Sequence, residues 1–252
     1  MLSARQAVEA FHLVFLRALA AKGEDKSLIA LKGGCNLRFY FASVRYSEDI
    51  DLDVVKIAEG TLRNKVERLL EGPLVGAPLR SLGLEVTDAS APKQTATTQR
   101  WKVGLRSAGL GAVLRTKIEF SRRGTIEGAS FDATPRDATR PYGLAPVLAT
   151  HYARSEAIAQ KIQALAGRAE PQARDVFDLA HLFARRGPLG VLPAEVSALL
   201  PRAVDHAMGI SFDAYRSKVV SYLEPEQAAP FEARAAWDEL QERVIVELEA
   251  LR

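Results

Sequence analysis

Two neighbouring stretches decide how this chain folds: residues 31–37 read LKGGCNL, and residues 45–53 read RYSEDIDLD. The apolar residues 28–31 stop directly before Gly33 and Gly34, which predicts a buried strand that ends at a tight turn. A short helix is predicted after the turn, over residues 36–41. Because the first N–H groups of a helix have no partner within it, a helix that opens behind a glycine turn can hold a phosphate group.

The second stretch carries carboxylates on one face of a predicted strand. Asp49, Asp51 and Asp53 alternate with apolar residues, which is the period of a strand with one acidic face. Asp49 and Asp51 would repel each other unless a cation lies between them. Mg²⁺ suits such oxygen ligands, and substrate phosphates commonly complete its coordination shell. Asp53 is expected to lie too far along to ligate the same ion. A glycine turn or an acidic strand face alone is most often only structural, but the combination predicts a nucleotidyl- or phosphoryltransferase.

The two stretches together resemble the first motif of the AbiEii/AbiGii nucleotidyltransferase toxins. This family is a branch of the DNA polymerase β-like superfamily and acts in type IV toxin–antitoxin and phage-defence systems. The resemblance extends from about residue 11 to residue 186 and is densest in a few short motifs. It implies that Gly33 and Gly34 handle a nucleoside triphosphate and that Asp49 and Asp51 bind Mg²⁺.

Three residues around these motifs are further candidates for nucleotide binding. The family commonly has Ser or Thr after the glycines, whereas this chain has Cys35, a weaker hydrogen-bond donor. The backbone N–H at Cys35, rather than its thiol, is therefore the expected donor to a phosphate. Arg45 and Ser47 flank the acidic pair, and we expect them to assist the phosphates or to brace the loop.

A third carboxylate is predicted on a later strand. Residues 115–119 alternate in character, so Arg115, Lys117 and Glu119 share one strand face. Glu119 resembles the carboxylate that polymerase β-like enzymes place beside the paired aspartates, where it would complete a two-metal site or act as a base toward the attacking hydroxyl. The structural alternative is an exposed Lys–Glu pair on an edge strand.

Two motifs of the C-terminal half resemble the remaining family motifs. Lys161 resembles a lysine that contacts the triphosphate, where it would neutralise charge on the leaving pyrophosphate. Arg174 and Asp175 resemble the fourth motif, and Asp175 is expected to position Lys161 or Arg174 against the nucleotide. The role of Asp178 is left open. The structural alternatives are a surface lysine and an Arg174–Asp178 ion pair on a helix surface.

Basic residues gather between positions 100 and 123, with Trp101 among them. They would hold a nucleic-acid backbone while Trp101 stacks a base, although basic residues on an exposed sheet face are also ordinary. The basic residues are Arg100, Lys102, Arg106, Arg115, Lys117, Arg122 and Arg123.

Composition limits the class of protein. The chain has 252 residues, of which 48% are hydrophobic and 26% charged, and a net charge of +3, as in an ordinary globular protein with a sizeable core. A single cysteine excludes an internal disulfide framework and a multi-cysteine zinc site, which fits the cytoplasm. No apolar run approaches the ~18 residues that span a bilayer, so no membrane partner is expected.

The predicted fold is α/β (α+β): a polymerase β-like mixed sheet with helices, followed by an all-helical C-terminal half. Residues 1–143 are predicted to form the nucleotidyltransferase domain, and residues 144–252 a helical domain that completes the nucleotide site. Ser3 and Gln6 predict a capping box at the first helix. Pro146 is predicted to begin a helix that runs to about Gly167. The other predicted elements are a helix over 62–70, strands over 84–86, 95–105 and 112–120, one short strand within the loop region 121–142, and helices over 171–187, 194–208, 212–223 and 231–251.

The predicted reaction is Mg²⁺-dependent transfer of a nucleoside monophosphate from an NTP to an acceptor hydroxyl, with pyrophosphate leaving. The resemblance implies that the acceptor is the 3′ end of tRNA, that the protein is a toxin, and that its partner is a cognate antitoxin protein. Two alternatives stay open. The chain could transfer the nucleotide to a protein or a small molecule, or it could be a non-catalytic relative that binds nucleotide or RNA.

Overall fold

The structure is a computed structural model that describes residues 1–21, 23, 25–122, 124–185, 187 and 189–252. The chain divides into two units. The first comprises Met1–Ala42 and Tyr46–Tyr152, and the second comprises Ser43–Arg45 and Ala153–Arg252.

The first unit is built on a seven-stranded mixed sheet. Its strands are β1 (Ile29–Lys32), β2 (Ile50–Val54), β3 (Leu84–Thr95), β4 (Thr98–Ser107), β5 (Leu114–Ser121), β6 (Ala129–Ala133) and β7 (Leu148–Tyr152). They lie side by side in the order β3-β4-β5-β2-β1-β7-β6. The pairs β2/β5 and β1/β7 are parallel, and the other neighbours are antiparallel. This mixed sheet confirms the predicted α/β class.

The first unit also contains helices. They are α1 (Ala4–Ala20), α2 (Gly33–Tyr40), α3 (Glu59–Glu71), α4 (Pro73–Ser81) and α5 (Arg136–Thr139), the last followed by a 3-10 turn at Arg140–Tyr142. The predicted capping box at α1 is confirmed, because Ser3 Oγ accepts from the Gln6 N–H at 3.2 Å and Gln6 Oε1 accepts from the Ser3 N–H at 3.0 Å. Helix α4 was not predicted.

The two faces of the sheet differ in polarity. On β5, Thr116, Ile118 and Phe120 are buried in the core, while alternate residues from Arg115 to Glu119 are at least partly exposed. Trp101 on β4 also faces the core: it is 1% exposed, and its ring meets that of Phe120 edge-on at 5.8 Å. The prediction that Trp101 stacks a nucleic-acid base is therefore wrong.

The region after Pro146 also differs from the prediction. Residues Leu148–Tyr152 form β7, which pairs with β6 and, in parallel, with β1 through His151 and Leu31, so that the next helix begins only at Arg154. Pro146 suits the first turn of a helix, but pairing on both sides and burial of residues 149–152 decide the local structure here. The predicted helix from Pro146 is wrong over its first turns.

The described residues of the second unit form helices joined by loops and contain no strand. Its helices are α6 (Arg154–Gly167), α7 (Ala173–Phe183), α8 (Ala194–Ser197), α9 (Leu200–Met208), α10 (Phe212–Lys218), α11 (Pro225–Ala228) and α12 (Arg234–Ala250), with 3-10 turns at Val220–Tyr222 and Ala229–Phe231. Helices α6 and α12 each pack on α7 and α9. Tyr215 stacks on Trp237 at 4.5 Å in the core. Among the described helices, none is long and apolar enough to cross a membrane.

Candidate active site

The structure brings three predicted carboxylates together on the polar face of the sheet. Strands β2 and β5 run parallel, and Asp51 stands opposite Glu119 in their register. Asp49 directly precedes β2 and lies two residues before Asp51, so its side chain points to the same face. Residues that are distant in sequence thus meet at the centre of the sheet because β5 pairs beside β2.

Two of these carboxylates already hold a cationic side chain. Lys117 Nζ lies 2.8 Å from Asp49 Oδ2, and Arg100 Nε donates to Glu119 Oε2 at 2.6 Å. All four side chains are between 31% and 44% exposed, so each pair stabilises the fold by no more than about 1 kcal/mol. Cations therefore already lie against this face, and ion pairs as weak as these are readily exchanged for other cations.

The glycine turn lies directly against Asp51. Gly33 has a φ of +65°, and a Cβ placed there would lie 2.9 Å from Asp51 Oδ2, so both backbone conformation and space favour glycine. Helix α2 begins at Gly33 itself, with Lys32 as its N-cap, rather than at residue 36 as predicted. Gly33, Gly34 and Cys35 therefore form the first helical turn, where backbone N–H groups have no partner in the helix. That turn lies against the carboxylate of Asp51.

The Cys35 thiol is turned away from this surface. It is buried, donates to the Asp49 carbonyl at 3.4 Å, and lies 3.5 Å from His12 Nδ1. Burial, reinforced by the nearby charge of Asp51, raises the pKa of the Cys35 thiol well above its ordinary value. The thiol is therefore neutral at physiological pH, and the backbone N–H is what Cys35 can offer a nucleotide. Ser47 also donates to the Asp49 carbonyl, at 2.8 Å.

The third aspartate of the acidic strand belongs to the interior. Asp53 is buried, with Lys32 Nζ 2.5 Å from its Oδ1 and the Tyr152 hydroxyl donating to its Oδ2 at 2.8 Å. Its charge is compensated within the sheet by partners on β1 and β7. Sequence reasoning missed Lys32 and Tyr152, since nothing near Asp53 in sequence indicates them.

In the second unit, two fully buried aspartates of α7 hold three cationic side chains. Asp178 receives a two-pronged ion pair from Arg45, with Nε donating to Oδ1 at 3.1 Å and a terminal nitrogen donating to Oδ2 at 2.8 Å. Lys161 Nζ lies 2.6 Å from Asp178 Oδ2 and 3.1 Å from Asp175 Oδ1. Arg168 Nε donates to Asp175 Oδ2 at 3.0 Å. We call these five residues the cation cluster.

Asp178 and Lys161 are charged at neutral pH. Burial by itself would raise the pKa of Asp178, but the charges of Arg45 and Lys161 outweigh it and hold that pKa well below its ordinary value. Burial likewise opposes the charge of Lys161, but Asp178 and Asp175 raise the pKa of its ammonium above the ordinary value. Three cations and two carboxylates leave one positive charge in excess.

The cluster differs from the sequence expectation in its partners. Asp175 was predicted to position Lys161 or Arg174, and the structure shows it in contact with Lys161. Its second partner is Arg168 rather than Arg174. Arg174 is half-buried and forms no ion pair with any residue in the described ranges. The alternative of an Arg174–Asp178 surface pair is wrong, because Asp178 points inward to Arg45. Arg168 was missed, although it follows Lys161 by about two helical turns.

The basic residues of the sheet divide into several groups. Lys102 is exposed opposite Lys117 and makes no ion pair with a described residue, whereas Arg106 and Arg115 pair with Glu85 and Asp88. Arg122 is no part of this surface, since it donates to the Gln99 side chain and to a backbone carbonyl. Arg123 lies outside the described residues. The polar face thus carries carboxylates at its centre and cations toward β4.

The side chains of Asp49, Asp51 and Glu119 on the polar face of the sheet are suitable ligands for a hard divalent cation. This face offers carboxylate oxygens, and the Lys117 ammonium marks a position beside Asp49 that attracts a cation. Within the described ranges, no three His, Cys, Asp or Glu side chains converge as a complete metal site. Mg²⁺ does not need such a cage, since it commonly uses one or two carboxylates and takes its other ligands from water and phosphates. Asp49 and Asp51 are the residues that would hold it.

Comparison with known proteins identifies the family of the chain. The family described as nucleotidyl transferase AbiEii toxin, type IV TA system, matches residues 14–250. The fold is similar to that of MenT4, a nucleotidyltransferase toxin from Mycobacterium tuberculosis H37Rv, with a TM-score of 0.64 and 19% identity over 100% of this chain and 87% of that one. It is also similar to JHP933 from Helicobacter pylori, with a TM-score of 0.63 and 17% identity over 99% and 95% of the two chains.

Sequence identities this low make the two structures evidence for the fold alone. No curated protein sequence matches the chain. The family match is stronger evidence, because it covers residues 14–250 and so includes the motifs of both units. The chain therefore belongs to the AbiEii family of nucleotidyltransferase toxins of type IV toxin–antitoxin systems.

Proposed function

We propose that this nucleotidyltransferase is Mg²⁺-dependent and that its acceptor is the 3′-terminal hydroxyl of tRNA. The observation that carries the proposal is the placement of Asp49, Asp51 and Glu119 on one face of two neighbouring strands, with the Gly33 turn against Asp51. Carboxylates for a hard cation next to the N–H groups of a helix start are the arrangement that an NTP with its metal requires.

Each residue of this face has a distinct role in the proposed reaction. Asp49 and Asp51 hold Mg²⁺, which when bound supplies positive charge against the negative charge that develops on the transferred phosphoryl group. The first turn of α2, at Gly33, Gly34 and Cys35, donates backbone N–H groups to phosphate oxygens. Ser47 braces the loop through the Asp49 carbonyl. On the family resemblance, we propose that Lys161 and Arg174 of the second unit contact the triphosphate.

Glu119 is proposed as the base for the acceptor hydroxyl. Arg100 holds its Oε2, and its Oε1 makes no hydrogen bond with a residue that the structure describes. Oε1 is thus the atom that accepts the proton as the acceptor oxygen attacks the α-phosphate and pyrophosphate leaves. Arg100 contacts only Oε2, which leaves Oε1 available for this proton.

The basic side of the same face supports a polyanionic acceptor. Lys102 is exposed and without an ion pair among described residues, and Lys117 and Arg100 continue the cationic row toward the carboxylates. Cations along a surface hold a nucleic-acid backbone without regard to its sequence. We further propose a cognate antitoxin protein as partner, a role in phage defence and a cytoplasmic location, where NTP and tRNA are present.

The proposal is tested by incubating the purified protein with Mg²⁺, total tRNA and each α-³²P-labelled NTP in turn. We expect label to enter tRNA with the wild type and to fall at least a hundredfold in D49N, because one metal ligand loses its charge. E48Q is the matched control: Glu48 is adjacent and exposed, and the variant should keep full transfer.

Other outcomes would separate the alternatives. Label in a protein or a small molecule instead of RNA would move the acceptor to that class. No transfer to any acceptor by the folded wild type, in the presence of Mg²⁺ and all four NTPs, would favour a non-catalytic nucleotide- or RNA-binding relative.

A further inference from the structure

Arg168 has most of its hydrogen-bonding capacity unused. It is the C-cap residue of α6, and its Nε donates to Asp175 Oδ2 at 3.0 Å. The other four N–H donors of its guanidinium make no hydrogen bond with any residue that the structure describes. The side chain is 39% exposed, so these donors are accessible to a solute.

Asp175 fixes this guanidinium beside a second cation. Its Oδ1 lies 3.1 Å from Lys161 Nζ while its Oδ2 accepts from Arg168. The carboxylate is fully buried in the first turn of α7, where the positive end of the helix stabilises its charge. One immobile anion therefore aligns two cations from α6, which would otherwise repel each other.

The charges of the cation cluster are balanced at one end only. Arg45 alone balances the charge of Asp178 through the two-pronged ion pair, and Lys161 also contacts that carboxylate. Asp175 then faces Lys161 and Arg168 with a single negative charge. The excess positive charge lies toward solvent, because Lys161 is 12% exposed and Arg168 is 39% exposed.

A ligand for this pair must carry several negative charges on neighbouring groups. A monoanion would be satisfied by Lys161 or by Arg168 alone. A polyphosphate chain offers successive phosphates, and the planar fork of an arginine matches two phosphate oxygens at once. The pair therefore favours a di- or triphosphate over a carboxylate or a single phosphate.

We propose that Arg168 is a polyphosphate-binding residue that acts together with Lys161, and that Asp175 positions both side chains. The inference rests on the proposed function, since the polyphosphate in question is that of the NTP substrate and of the pyrophosphate product. It assigns a ligand-contacting role to a residue outside the motifs of the sequence.

Binding of inorganic tripolyphosphate, measured by isothermal titration calorimetry without divalent cations, tests this assignment. We expect the wild type to bind it and R168Q to bind about tenfold more weakly, since charge-assisted hydrogen bonds from Arg168 are lost. R168K, which keeps the charge but not the fork, should fall between the two. R202Q is the matched control, since Arg202 is exposed on α9 of the same unit.

Circular dichroism spectra and melting curves establish that each variant is folded. If R168Q does not fold, R168K replaces it in the comparison with R202Q. The assignment is overturned if the wild type does not bind tripolyphosphate, or if R168Q binds it as R202Q does. Because no metal or transfer step enters the measurement, its result is independent of the tRNA labelling assay. Tripolyphosphate binding that depends on Arg168 without any transfer would refute the proposed reaction alone, and transfer without that dependence would refute the inference alone.

Discussion

Gly33 combines two requirements in one residue. Its φ of +65° lies in the left-handed region, where a side chain costs about 1–2 kcal/mol, and its missing Cβ leaves room for the Asp51 carboxylate. A methyl group there would push Asp51 out of position, since 2.9 Å is closer than real Cβ atoms come to such a neighbour. Backbone strain and displacement of a side chain that we propose binds Mg²⁺ thus coincide at this residue.

We therefore expect G33A to lose more activity than stability. Its melting temperature should fall by several degrees, and the transfer rate should fall at least tenfold because Asp51 is displaced. G60A is the control: a Cβ at Gly60, in the first turn of α3, meets no atom within 4 Å, so that variant should be as stable as the wild type or slightly more stable. Equal melting temperatures and rates for G33A and G60A would contradict this account.

At the scale of elements, prediction succeeded where local pattern and fold agree. The capping box of α1 and the alternation on β2 and β5 are visible in a few consecutive residues, and both were found. Strand β7 was missed because pairing with β1 and β6 decides its conformation, and β1 lies far away in sequence. Strand β3 was predicted too short because this edge strand exposes polar residues that interrupt its apolar pattern.

The packing of α6 against α7 depends on the ionisation of Asp178. Because the folded-state pKa of Asp178 lies below its unfolded value of about 3.9, the stability from this charge is present above pH 4 and is lost as the pH falls through the folded-state pKa. D178N leaves Arg45 and Lys161 buried without this partner, so it should cost about 3–5 kcal/mol at pH 7.

Denaturant unfolding at pH 7, 5 and 3 measures this dependence. The difference in unfolding free energy between wild type and D178N should be constant from pH 7 to 5 and shrink toward pH 3. D205N changes an exposed aspartate of α9 and should match the wild type throughout. A D178N deficit that is the same at pH 3 as at pH 7 would show that Asp178 contributes through packing rather than charge.

At the scale of the whole molecule, the sequence locates most candidate residues but not their partnerships. Asp49, Asp51 and Glu119 were named from motifs, and the sheet brings them together. Arg45 and Asp178 form an ion pair although they are 133 residues apart, which no local pattern indicates. Arg168 was overlooked for the same reason, because its role is visible only beside Asp175.

The charge of the sheet face gives the last prediction, which concerns the acceptor. If Lys102 contacts a tRNA phosphate, K102Q should weaken tRNA binding and lower the slope of log K against log salt concentration by about 1. K218Q removes the same net charge from an exposed site on α10 and should leave the slope unchanged. Filter binding of tRNA at four salt concentrations measures both slopes. Equal slopes for the two variants would mean that the overall charge of the protein, and not this face, attracts the tRNA, and the acceptor path would then have to lie elsewhere.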